Sequence, residues 1–182
     1  IQATQHRIEE LRTIWDAPLP GTALVVWDQM TQLVSDVFLT ECGHAQERSL
    51  IAEVLATVEP DDLWIMDRNF CTLGFLFGLW DKTARFVVRQ HGQVNGELLG
   101  PPKLKGTTER GEKVYEQQLQ LTFAGRTRNV RRITVKLLKP TRDGSTELHI
   151  LTNLTAREAN AVQVADLYQQ RWTIETVFLQ LK

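Results

Sequence analysis

Cysteine is scarce: the 182 residues contain two, Cys42 and Cys71, so at most one disulfide can form. Neither has a second Cys or a His at metal-ligand spacing, which excludes a disulfide-framed scaffold and a Cys/His zinc site, and both read as buried thiols. Long apolar runs are lacking too. No stretch approaches the roughly 20 residues that a helix needs to span a bilayer. The opening IQATQHRIEELR has neither the apolar segment nor the small-residue cleavage site of a secretory signal. A cytoplasmic protein is the expectation. Internal repeats and low-complexity tracts are absent, which excludes a repeat array. Net charge is almost absent, at −1, yet that balance conceals an asymmetry.

Residues 1–81 carry four Lys/Arg against thirteen Asp/Glu, residues 82–139 carry thirteen against four, and the last 43 carry four against five. A basic segment within an acidic framework points to a polyanionic partner, and a solvated basic sheet face would give the same count. Length and a 42% hydrophobic content suit one soluble domain with a sizeable core.

Along the chain, TQHRIEELR supports a short helix that APLPG breaks. TALVVWDQ and TQLVSDVFLT flank a polar turn at Asp28 to Thr31 and read as a β-hairpin. HAQERSLIAEVLATV repeats apolar residues at Leu50, Ile51, Val54, Leu55 and Val58, the stripe of an amphipathic helix ended by Pro60. DLWIMD reads as a buried central strand stopping at Asp67, and CTLGFLFGLWDK as a buried helix. From Ala84 the pattern becomes alternating strands, ARFVVRQ, VYEQQLQLTF, NVRRITVKLL and TELHILTNL, separated by Gly-, Pro- and Thr-rich turns. Thr155-Ala156-Arg157-Glu158 fits a capping box that opens a final helix, with a break near Trp172.

On a wheel at about 100° per residue with Tyr168 at zero, Arg171, Glu175 and Lys182 fall within a stripe about 60° wide beside it. Leu167, Ile174, Phe178 and Leu181 form the predicted core face, with Gln169, Thr173, Thr176 and Gln180 on the solvent face. The ionic stripe thus borders the core, as the wall of a cleft would; snorkelling Lys and Arg beside a core would look the same. Asp67 ends an apolar strand, the position where α/β proteins build sites, and a turn or N-cap role is the alternative. An Asp and a Glu so placed can share Mg²⁺, a hard cation that prefers oxygen ligands.

The spacing Tyr168, two residues, Arg171, three residues, Glu175, six residues, Lys182 resembles the Tyr-Arg-Glu-Lys signature of DDE transposases of the insertion-sequence-four family. Trp172 and Ile174 fit the same pattern, and WIMDRNF resembles the strand that delivers that family's second catalytic Asp. The resemblance implies an α/β fold: a ribonuclease-H-like core lacking its first strand (residues 1–83 and the helix within 153–182), with a β-rich basic insertion at 84–152. It implies cleavage at transposon ends and strand transfer into target DNA. Asp67 and Glu175 would bind Mg²⁺, for which Mn²⁺ can substitute, and Tyr168, Arg171 and Lys182 would contact DNA phosphates. Trp172 would stack near a DNA end or lie in the core. A second protomer in a synaptic complex and nucleoid association are implied as well.

The family's first Asp lies in an Asp-Gly motif that does not occur before Asp67; the one Asp-Gly here, Asp143-Gly144, falls in a turn between insertion strands. Asp28 has a hairpin-turn context rather than that of a ligand. A transposase fragment, inactive by itself for want of the first Asp, is the expectation, with a catalytically inactive DNA-binding remnant as the alternative.

Overall fold

The computed structural model describes residues 23–39, 47–141 and 143–170. The chain divides into two compact units, residues 1–54 and 55–182. In the first, β1 (Ala23–Asp28) and β2 (Leu33–Leu39) pair antiparallel as the hairpin read from the sequence. Asp28 makes the turn. Its carboxylate accepts the Met30 amide at 2.8 Å, the Thr31 amide at 3.3 Å and the Thr31 hydroxyl at 2.9 Å. These bonds, the Thr31 hydroxyl foremost, hold the carboxyl below its usual range, and both oxygens serve the turn, in keeping with the hairpin reading. A 3₁₀ turn at Glu47–Leu50 leads into α1 (Ile51–Thr57), the core of the helix expected over 44–58.

The second unit is built on a six-stranded mixed sheet in the order β3-β4-β8-β7-β6-β5. The strands are β3 (Leu63–Met66), β4 (Arg85–Arg89), β5 (Glu97–Thr107), β6 (Lys113–Phe123), β7 (Arg126–Lys136) and β8 (Glu147–Thr152). Only β3 and β4 run parallel, and a parallel pair needs a crossover, which α2 (Leu73–Asp81) supplies. Thr72 caps α2 through its hydroxyl, which accepts the Phe75 amide at 3.3 Å. The helix buries Phe75, Leu76, Phe77 and Leu79; Phe77 meets Phe123 and Trp80 meets Phe86 edge-on.

Successive strand residues point to opposite faces, so Phe86 meets α2 while Val87 joins Val114, Ile133, Val135, Leu148 and Ile150 under α3 (Ala161–Gln170). The two helices therefore cover opposite faces of one sheet, burying both. Each fully buried aliphatic or aromatic side chain there contributes about 1.5–3 kcal/mol relative to exposure.

Four expectations are corrected. First, the apolar run DLWIMD predicts a buried central strand, but among the described residues β3 is an edge strand and Leu63 is 42% exposed. An apolar run four residues long does not by itself distinguish centre from edge. Second, the Gly-, Pro- and Thr-rich stretch between ARFVVRQ and VYEQQLQLTF, expected as a turn, contains the whole of β5. Pro101 and Pro102 are tolerated because, among the described residues, β5 is an edge strand and because five residues of it, Leu99 to Lys103, span the register of three of β6, Gln118 to Glu116. Gly100, at φ +70°, turns this bulge. Third, the Thr155–Glu158 capping box forms, with the Thr155 amide donating to Glu158 at 2.6 Å and the Glu158 amide to Thr155 at 3.3 Å. It closes one turn only. α3 starts at Ala161 under a second reciprocal cap, in which Asn160 and Gln163 exchange bonds of 2.9 and 3.0 Å. Fourth, α3 buries Ala161, Val164, Ala165 and Tyr168, so its core face centres on Tyr168 rather than on Leu167, which is only partly buried.

Candidate functional site

Met66 pairs with Val88, so Asp67 leaves β3 beside Arg89 at the end of β4. Asp67 is half-buried. Its Oδ1 accepts the Arg68 amide at 2.7 Å and caps a 3₁₀ turn, Arg68–Phe70. Among the described residues no donor occupies Oδ2. The N-cap reading of Asp67 is thus realised through one oxygen, while the other remains for a ligand.

The next residue connects this turn to the far end of the chain's β-rich segment. Arg68 Nη1 lies 3.3 Å and Arg89 Nη2 3.5 Å from the same oxygen, Oδ2 of Asp143. The other Asp143 oxygen accepts from the Thr141 hydroxyl and, at 3.4 Å, from the Ser145 amide. These bonds, Thr141 first, hold the Asp143 carboxyl far below the usual carboxylate range. Asp143-Gly144, which the sequence places only in a turn between insertion strands, therefore sits over the Asp67 turn.

Tyr168 is 2% exposed, in the core beneath α3. It borders a shallow depression shared with Arg89, Arg110, Glu112, Thr141 and Gln169. Gln169 donates to Glu112 at 2.9 Å. Arg89 consequently belongs both to the Asp67 neighbourhood and to that of Tyr168. Arg171, Trp172, Glu175 and Lys182 lie outside the described residues, as does Cys42; Cys71 is buried, as read.

The basic segment is partly neutralised within the fold. Arg126 pairs with Asp81 at 2.5 Å and lies over the Phe77 ring, Arg131 pairs with Glu116 at 3.0 Å, Lys136 with Glu147 and Arg85 with Glu158 at 2.9 Å. On the α2 face of β7 and β8, His149 is held below the usual imidazole range by burial and then by Arg132. Among the described residues Lys103, Lys105, Lys113 and Arg128 have no carboxylate within salt-bridge distance, and all four are exposed. These exposed cations remain available to a polyanion.

A mixed sheet with an Asp at the end of its parallel pair and cations near it defines an α/β domain. Residues 20–182 match the family model described as "Transposase DDE domain", and the chain belongs to that family. It is also similar to a protein of Sinorhizobium fredii (strain NBRC 101917 / NGR234), y4zB, named as a candidate transposase. The identity is 29% over 129 residues, 69% of this chain and 34% of the relative, so the chain spans about a third of that relative's length. Among the described residues no helix is long and apolar enough to cross a membrane.

Proposed function

We propose that the chain supplies the catalytic domain of a DNA transposase that cleaves strands at transposon ends and transfers them into target DNA. The observation that carries this reading is Asp67, half-buried at the C-terminal end of β3 with one carboxylate oxygen free of donors among the described residues, in a chain matched to the DDE family. Asp67 and Glu175 are assigned as the metal-binding carboxylates. Both offer the hard oxygen donors that Mg²⁺ requires, and Mn²⁺ can take its place. Bound there, such ions supply an activated attacking oxygen and a stabilised leaving oxygen. The chain's own residues hold the DNA: Tyr168, at the depression beside Arg89, acts with Arg171 and Lys182 on phosphates, and Trp172 stacks on a DNA end. In this reading residues 1–83 and 153–182 form a ribonuclease-H-like core. The basic insertion, 84–152, shares one sheet with β3 through β4, and a second protomer completes a synaptic complex in the nucleoid.

The test uses the full-length protein with its cognate ends. Mg²⁺- or Mn²⁺-dependent cleavage and joined products are expected, and Asp67→Ala or Glu175→Gln abolishes both. Undiminished cleavage in either variant would remove these residues from the site.

A further inference from the structure

We infer that Arg68 and Arg89 form a binding pair for a DNA backbone phosphate beside Asp67, and that Asp143 occupies the pair while DNA is absent. The inference rests on the transposase reading of the site and adds to it a phosphate subsite and its internal competitor. The two guanidinium groups come from different elements, the turn after β3 and the end of β4, yet they converge on a single oxygen at 3.3 and 3.5 Å. Convergence of two arginines on one anionic oxygen is the geometry that recognises phosphate, which offers two non-bridging oxygens where Asp143 presents one. Each guanidinium directs one N–H-bearing nitrogen at the shared oxygen, so the pair retains donors that a second anionic oxygen would satisfy. The side chains are accessible: Arg68 is 49%, Asp143 44% and Arg89 23% exposed. Ion pairs at such exposure hold weakly, so exchanging the carboxylate for a phosphate costs little.

Asp143 is also independent of the arginines it holds. Its other oxygen is tied within its own turn by Thr141 and Ser145, so the carboxylate stays in place when the guanidinium groups turn to another anion. Arg68 is the residue whose amide holds Asp67 Oδ1. Arg68 directly follows Asp67, so the phosphate subsite is built on the residue next to the carboxylate assigned to metal binding.

The measurement is fluorescence anisotropy of a labelled DNA duplex with the full chain over a series of salt concentrations, with thermal melts to verify folding. Asp143→Asn keeps an acceptor for Thr141 and Ser145 but releases the arginines. It is expected to tighten binding by up to about fivefold, the factor equivalent to the upper end of an exposed ion pair. Arg68→Gln and Arg89→Gln should each weaken binding and reduce the logarithmic salt slope by about 1. Removing a negative charge anywhere would favour DNA in general, so the Arg68→Gln/Arg89→Gln/Asp143→Asn triple variant decides: the gain must vanish there relative to the double arginine variant. A gain that persists in the triple variant, or arginine variants that bind like wild type, would overturn this inference alone. Wild-type chain with no salt-sensitive affinity for DNA would overturn the transposase reading with it.

Discussion

Arg131 offers the sharpest test of how the second unit is held together. Its side chain is 7% exposed and that of its partner Glu116 12%. Nε and Nη2 donate to the two Glu116 oxygens at 3.1 and 3.0 Å, and Nη1 donates to the carbonyls of Leu154 and Ala159 at 3.0 and 2.8 Å. One side chain thus ties β6, β7 and the segment that leads into α3. Arg131→Met removes all four bonds and leaves Glu116 unpaired. Losing one member of a buried pair costs about 3–5 kcal/mol. With a urea slope near 2 kcal/mol/M, the midpoint falls by about 2 M. The Arg131→Met/Glu116→Leu double variant should lose less than Arg131→Met alone, since no charge is then stranded. The pH dependence carries a sign. Burial pushes the Glu116 carboxyl up, but the Arg131 guanidinium more than reverses this and leaves it below its ordinary value. The pair's stabilisation is therefore complete above the unfolded value of 4.5 and is lost as pH falls through the lower folded one. In Arg131→Met, only the charge of Lys105 still opposes burial, so acidification relieves the stranded charge and narrows the gap to wild type. A loss below about 1 kcal/mol at neutral pH, or a gap that widens in acid, would refute this account of the pair.

Two further predictions use the same urea and thermal melts. At Gly96 an added Cβ would stand 2.2 Å from the Gln120 carbonyl oxygen. Gly96→Ala should therefore push β5 from β6 and cost about 1–3 kcal/mol, or about 2–4 °C in Tm for each kcal/mol; an unchanged Tm would show that the strands do not approach so closely. Glu158 is held at about 2 by Arg85 and then by its bonds to Thr155. Its contribution is present above the unfolded 4.5 and is lost as pH falls toward about 2. Glu158→Gln, which can still complete the cap, should flatten the stability profile in that window; an unaltered profile would contradict the shift.

Local pattern sufficed where one physical signal dominated. Alternation gave the β1–β2 hairpin and strands β4, β6, β7 and β8, and the continuous apolar run gave α2. It failed at β5, where Gly100, Pro101 and Pro102 are turn residues in any local reading and only the bulge against β6 admits them. It failed at the start of α3, because Thr155-Glu158 and Asn160-Gln163 are both sound caps and packing decides which one opens the helix. The wheel misplaced the core face because Tyr168, counted with the polar stripe, contributes its ring to the core. In the candidate site, Asp67 was legible from its position after an apolar strand. Asp143 was not, since it meets Arg68 across 75 residues of sequence.

That meeting follows from strand order. β3 and β4 run parallel, so both end at the same edge of the sheet. β8 pairs antiparallel with β4 and must begin at that edge, and β7, antiparallel to β8, must finish there. The turn between β7 and β8 is therefore delivered over the carboxyl end of β3, bringing Asp143 above Asp67 without any local sequence cue. α3 reaches the same edge, since Tyr168 and Gln169 border a depression with Arg89 and Thr141. The basic segment is thus continuous with the sheet that carries Asp67 rather than appended to it. A nucleic-acid strand approaching Asp67 would meet the β7–β8 turn and the end of α3 in the same encounter. Lengthening the β7–β8 turn should consequently alter DNA affinity without disturbing the β3–β4 ladder, whereas an insertion in the β6–β7 turn, at the opposite end of β7, should alter that affinity less.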